Sequence, residues 1–213
     1  MRTLDLAPDD AAFDAAADQI IAAGQRMDRF GWVPSFGGNI SARLDEETIA
    51  ITRSGGRKGF LARDNVIRVD LAGMPLRDGD RPSAETTLHC QIYRLVPWAG
   101  AVLHGHSVVA TVLSRLVSGA GIRFSGYEMI KAFEGQVTHD TTAILPVFDN
   151  SQDMQQLATT VGPRISSEVP GYLLRGHGVY AWGRTVEQAT ANFEAIEFLL
   201  ACELETLKVR PAS

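Results

Sequence analysis

Cysteine is scarce: two in 213 residues cannot staple a fold, and Cys90 and Cys202 both fall in helical patterns among apolar neighbours. That setting suits reduced, packed thiols rather than a disulfide or a catalytic pair. No run of Lys or Arg marks a basic face, and the formal charge of −5 is mild and dispersed, which excludes the electrostatic footprint of a nucleic-acid binder. Any anionic ligand must therefore be held by local groups. No apolar stretch approaches the length of a membrane span, and the opening "MRTLDLAPDD" carries aspartates where a signal peptide needs an apolar core. The expectation is a cytoplasmic protein with no membrane partner. Repeats, low-complexity tracts and Pro/Gly linkers are missing too, so residues 1–213 are expected to form one domain.

What is present is an ordinary globular composition, 45% hydrophobic and 21% charged, with helical and strand patterns in mixed order. Residues 9–30 read as an amphipathic helix capped by Asp9 or Asp10, with Phe13, Ala17, Ile20, Gly24 and Met27 on one face and Gly31 as its stop. "NISARL" and "TIAITR" joined by "DEE" form a hairpin, and "NVIRVD" is a third strand. Further helices are expected at 83–96, 107–117, 126–134, 151–167 with Ser151 as cap, and 185–208. Strands are expected at "GAVLHGH", "TAILPV", "GYLLR" and "GVYAWG". Without strict alternation, the pattern predicts an α+β fold around a mainly antiparallel sheet. The last helix carries one apolar stripe, Val186, Ala189, Phe193, Ile196, Leu200, Leu204 and Leu207, which reads first as packing against the sheet, with a subunit contact as the alternative.

The chemistry-bearing residues cluster at strand ends. In "AVLHGHSVV" two histidines close an apolar run; two apart on a strand, His104 and His106 project the same way with Gly105 between them. Alone, such a pair more often satisfies itself or backbone carbonyls than holds a metal. His177, between two glycines in "LLRGHGVYAWG", supplies a third strand-end imidazole, and three neutral imidazoles with an open position make a catalytic type of zinc site. His89, inside a helix, and His139, in the polar "QVTHDTT", read as exposed or locally hydrogen-bonded.

"SFGGNIS" and "TRSGG" offer amides and hydroxyls suited to a phosphate; either alone is more often an ordinary turn, and they gain weight only together. In "RPSAETTLHCQIY" Ser83 reads as a helix N-cap with Glu85 in the first turn, an arrangement that stabilises any helix but could also present amides to phosphate and a carboxylate to a metal. Glu128 in "FSGYEMIKAF" pairs with Lys131 at i+3 on a helix surface, or carries protons if its surroundings are dry enough to raise its pKa.

"GGNIS", "TRSG", "PSAET", "HGH" and "GHG", in this order, resemble the class II aldolase and adducin family over about residues 10–208. The resemblance implies an α/β/α-layered fold, one divalent ion, zinc, held by His104, His106 and His177, and a homotetramer with active sites near subunit interfaces. It matches Gly38, Asn39, Ser54, Gly55 and Ser83 to phosphate-binding positions and Glu85 to an active-site glutamate. Through "PSAETTLHCQIY", "YEMIKA" and "GHGVYAWG" the likeness is greatest to a dehydratase branch acting on a methylthio-substituted ketose phosphate, in which Glu128 matches the acid/base. A retro-aldol or 4-epimerase on a related sugar phosphate is the nearest alternative, and a non-catalytic interaction domain of the adducin type a more distant one. One departure stands out: Ala84 occupies a position where sugar-phosphate aldolases usually carry a second serine.

Overall fold

A computed structural model describes residues 8–165 and 169–209. Thirteen elements organise it: α1 (Pro8–Arg29), β1 (Asn39–Arg43), β2 (Thr48–Thr52), β3 (Val66–Asp70), α2 (Thr86–Leu95), β4 (Ala101–Gly105), α3 (Val108–Leu116), β5 (Gly121–Ser125), β6 (Thr142–Phe148), α4 (Met154–Val161), β7 (Gly171–Leu174), β8 (Gly178–Gly183) and α5 (Val186–Val209), joined in places by short 3₁₀ turns. The strands form one sheet in the order β3-β2-β1-β4-β8-β7-β6-β5. Every neighbouring pair is antiparallel except β6 with β7.

Side chains alternate across a strand, and each face of this sheet has its own helical cover. On one face Ile40, Leu103, Val179 and Ala181 pack with Ile20 and Met27 of α1, Leu113 of α3, and Phe193, Ile196 and Leu200 of α5. On the other, Ile49, Ile51, Val102, Tyr172 and Trp182 pack with Leu88 and Ile92 of α2 and Leu157 and Val161 of α4. The expected α+β fold, layered α/β/α with a mainly antiparallel sheet, is present. The α5 stripe from Val186 to Leu204 is buried within the chain, and only Leu207 is exposed. Both cysteines are free. No helix among the described residues is long and apolar enough to cross a membrane.

Local capping differs from expectation in three places. Helix α1 already runs at Pro8, so Asp9 and Asp10 lie in its first turn and its cap, like residues 1–7 of the opening stretch, lies outside the described residues. Helix α2 begins at Thr86 with Glu85 in the cap position, and Ser83 stands before it, its Oγ 3.4 Å from the Glu85 amide. Helix α4 is capped by Asp153, whose carboxylate accepts from the amides of Gln155 and Gln156, rather than by Ser151, and it ends at Val161; of the expected span to 167, residues 166–167 are outside the described residues. A carboxylate placed to accept two amides outcompetes a more distant hydroxyl. Strand β5 lies between the stretches expected to be helical at 107–117 and 126–134, where no element is expected; Ile122 and Phe124 face the core, but the run is too short for its alternation to stand out.

Glu197 of α5 is 4% exposed, and its Oε1 has no hydrogen-bond partner among the described residues. Burial pushes its carboxyl up to about 7, against the weaker opposing hydrogen bond from Ser107. The folded chain therefore keeps a proton that the unfolded chain releases near its ordinary value, so stability falls as pH rises from the unfolded pKa towards 7 and is level above it. Between pH 4 and 8 the stability of Glu197→Gln, measured by denaturant unfolding, is expected to gain about 3 kcal/mol on the parent chain.

Candidate metal centre

The antiparallel register carries the site's residues to one end of the sheet. The start of β1, the end of β2, the end of β4, the turn between β7 and β8, and the end of β6 all fall there. His104, near the end of β4, stands opposite Asn39 of β1 and Tyr180 of β8. Leu103 faces the α1/α3/α5 layer, so His104 faces the α2 side, where it is fully buried and stacks on Tyr180 with ring centroids 4.0 Å apart. His106 follows the strand; its amide donates to the Trp32 carbonyl at 2.6 Å. Gly105 is required between them, because a Cβ there would lie 2.8 Å from both Phe193 Cζ and the Trp32 carbonyl oxygen. His177 occupies the three-residue turn between β7 and β8.

These histidines converge. His106 Nε2 lies 2.8 Å from His104 Nε2 and 3.1 Å from His177 Nε2, and Glu85 Oε1 lies 3.4 and 3.0 Å from the same two partners. One ligand atom from each of the four lies within 4.8 Å of the others. Second contacts fix the rings: His104 Nδ1 donates to the Val179 carbonyl at 2.9 Å, and His177 Nδ1 lies 3.2 Å from Asn150 Oδ1. With Nδ1 of His104 and His177 committed outwards, their Nε2 atoms turn towards His106 and Glu85, where a divalent ion at the common centre could take the place of the protons that the Glu85 contacts share. Burial, followed by the neighbouring His104 and His177, lowers His106 to about 3, which keeps it in the neutral form a metal needs. Burial alone would raise the Glu85 carboxyl, but hydrogen bonds from His104 and His177 outweigh it and hold the group well below the usual carboxylate range. The donor set fits a divalent metal.

The expected phosphate positions lie on three loops at the same sheet end. Gly38 has φ +79°, and a Cβ on it would stand 2.6 Å from the His104 carbonyl oxygen, so only glycine lets this loop run against β4. Asn39 is buried, with Oδ1 unpartnered among the described residues. Ser54 and Gly55 are exposed, and the Ser54 amide donates to the Arg81 carbonyl at 2.9 Å, tying their loop to the segment that holds Ser83. Ala84 is exposed.

Glu128 does not join the four-residue group. Its side chain is 72% exposed and lies 2.6 Å from Lys131 Nζ and 3.5 Å from His139 Nδ1. The hydrogen bond from Lys131, then its charge, holds the carboxyl below its ordinary value, opposite to the dry setting envisaged for a proton carrier. His89 is buried rather than exposed, its Nδ1 2.8 Å from Ser41 Oγ. Sequence reading passed over Asn150, Tyr180 and the Val179 carbonyl, which orient the histidines, and it passed over Lys58. The polar "FDNSQD" after a strand was a signal for Asn150; a backbone carbonyl has none.

Comparison with known proteins follows the same lines. Residues 18–204 match the model of the class II aldolase and adducin N-terminal domain. A methylthioribulose-1-phosphate dehydratase from Gluconacetobacter diazotrophicus is 60% identical, covering 91% of this chain and 95% of that protein, and one from Acidiphilium cryptum is 55% identical, covering 91% and 92%. Among solved structures, an L-fuculose-1-phosphate aldolase from Thermus thermophilus superposes with a TM-score of 0.74 at 25% identity, covering 95% of this chain and 99% of that one. On this evidence the chain belongs to the class II aldolase and adducin family.

Proposed function

We propose that the chain is a zinc-dependent hydro-lyase that converts 5-methylthioribulose 1-phosphate to 2,3-diketo-5-methylthiopentyl 1-phosphate and water, a step of methionine salvage in the cytoplasm. The observation that carries the reading is the convergence of three imidazoles and a carboxylate in a chain 60% identical, over nearly its whole length, to a protein bearing that dehydratase name. A non-catalytic adducin-like role leaves this buried polar cluster without a purpose.

His104, His106 and His177 would hold the ion; three imidazole nitrogens with room for substrate oxygens favour zinc. When bound, such an ion supplies Lewis acidity that polarises the ketose carbonyl and eases loss of the C3 proton. Gly38, Asn39, Ser54, Gly55 and Ser83 would grip the phosphate, fixing C3 and C4 relative to the histidines. Glu128 would take the proton from C3 and return one to the C4 hydroxyl as it leaves. That role needs the carboxylate covered. Glu128 lines an apolar hollow with Met129, Ala132 and Phe198, and the exposure of Met129 and Phe198 suits a second copy docking there, as in a homotetramer with sites near subunit interfaces. Glu85, already beside His104 and His177, is the second carboxylate at the reacting centre.

The decisive experiment is to supply 5-methylthioribulose 1-phosphate and identify the products by mass spectrometry. The diketone supports the reading; a triose or a C2 fragment points to carbon–carbon cleavage, and an isomeric pentulose to epimerisation. Elemental analysis should find about one zinc per chain, and Ala at His104, His106 or His177 should strip it. Full metal content in all three variants removes the assignment.

Glu128→Gln should keep metal and fold yet lose on the order of 10²-fold or more in kcat. A salt bridge to Lys131 without catalytic work gives almost no loss, and Glu85 then becomes the acid/base. If Glu128 serves a neighbouring copy, mixed oligomers of His104→Ala and Glu128→Gln chains should regain activity that neither has alone.

A further inference from the structure

Lysine is rare in this chain: Lys58, Lys131 and Lys208 are the only three, against seventeen arginines. Lys131 and Lys208 are exposed partners of glutamates three residues earlier. Lys58 is different. It is 1% exposed, and its ammonium donates to the carbonyls of Phe36 at 3.1 Å and Gly56 at 2.6 Å, with no carboxylate in ion-pair contact among the described residues. Burying a cation without an adjacent counter-charge is costly. The burial is built in: the 3₁₀ turn Lys58–Phe60 packs on α1 where Gly24 has no side chain, and a Cβ on Gly24 would stand 2.3 Å from the Lys58 carbonyl oxygen.

The two carbonyls belong to "SFGGNIS" and "TRSGG", the loops whose amides and hydroxyls suit an anion. An ammonium has three donors, and two are used here. Burial lowers its pKa to about 8, with the charge of Glu85 offsetting part of the fall, so the ammonium remains largely protonated at neutral pH. We infer that Lys58 is the fixed positive charge of an anion site between these loops, and that it makes the site selective for a phosphoryl group over a neutral end of the substrate. The inference deepens the proposed function and rests on it for the natural ligand, whereas the site itself can be tested with inorganic phosphate alone.

The test is calorimetric titration of inorganic phosphate into the metal-loaded parent chain and into Lys58→Gln, which keeps donors for the two carbonyls but no charge, and Lys58→Arg, which keeps the charge. Lys58→Gln should bind at least about tenfold more weakly, the loss expected when one favourable charge contact worth about 1.4 kcal/mol is removed. Lys58→Arg should retain most of the affinity, with metal content and circular dichroism unchanged in both. Phosphate held only at the metal would be insensitive to either change, and equal affinity in the parent and Lys58→Gln overturns the inference. Should the variants fail to fold, ¹⁵N-lysine labelling of the parent gives three ammonium signals, and the buried one must shift on phosphate addition; no shift also overturns it. Dehydration by the parent with phosphate binding insensitive to Lys58 sinks this inference alone. Phosphate binding that depends on Lys58 in a chain that does not dehydrate the substrate sinks the proposed function alone.

Discussion

Lone pairs on three imidazoles and a carboxylate within 4.8 Å of one another repel unless protons or a metal ion stand between them, and the fold holds the four groups there. The restraint comes from the sheet. His104 cannot retreat, because its ring lies between the Tyr180 face and a backbone bond to Val179, both set by the β4–β8 register. His106 is pinned through its amide to Trp32, and Gly178 lets the β8 backbone pass so close to β4 that a Cβ on it would be 2.1 Å from the Gly105 carbonyl oxygen. A site placed on rigid strand ends keeps its geometry without the ion, so binding need not bear the cost of ordering it.

The same register explains why the centre was legible in the sequence and its supports were not. An HxH pair at the end of an apolar strand has a geometric meaning that period-2 alternation supplies directly, and glycines around His177 mark a close backbone approach. Glu85 was legible as an early helical carboxylate, although the helix starts later than Ser83 suggested. Lys58 was not, because its burial depends on Gly24, more than thirty residues earlier, meeting a 3₁₀ turn that has no periodicity to read. Strand β5 was lost for a related reason: its partner β6, rather than its own five residues, makes it a strand.

Glu128 shows where a single chain stops being informative. Exposed and bonded to Lys131, its carboxylate is more acidic than a free one, which suits a spectator ion pair. Proton transfer at carbon asks for the reverse, a carboxylate whose basicity is restored by losing water. Both states belong to the same residue if the surface around Met129 and Phe198 is covered by another molecule, because desolvation raises a carboxylate pKa while the lysine beside it only tempers the rise. Assembly would then be part of the chemistry: the four groups that could hold a metal lie within one chain, whereas Glu128 would acquire a working pKa only in an oligomer, and dilution to monomers would remove turnover while leaving metal bound.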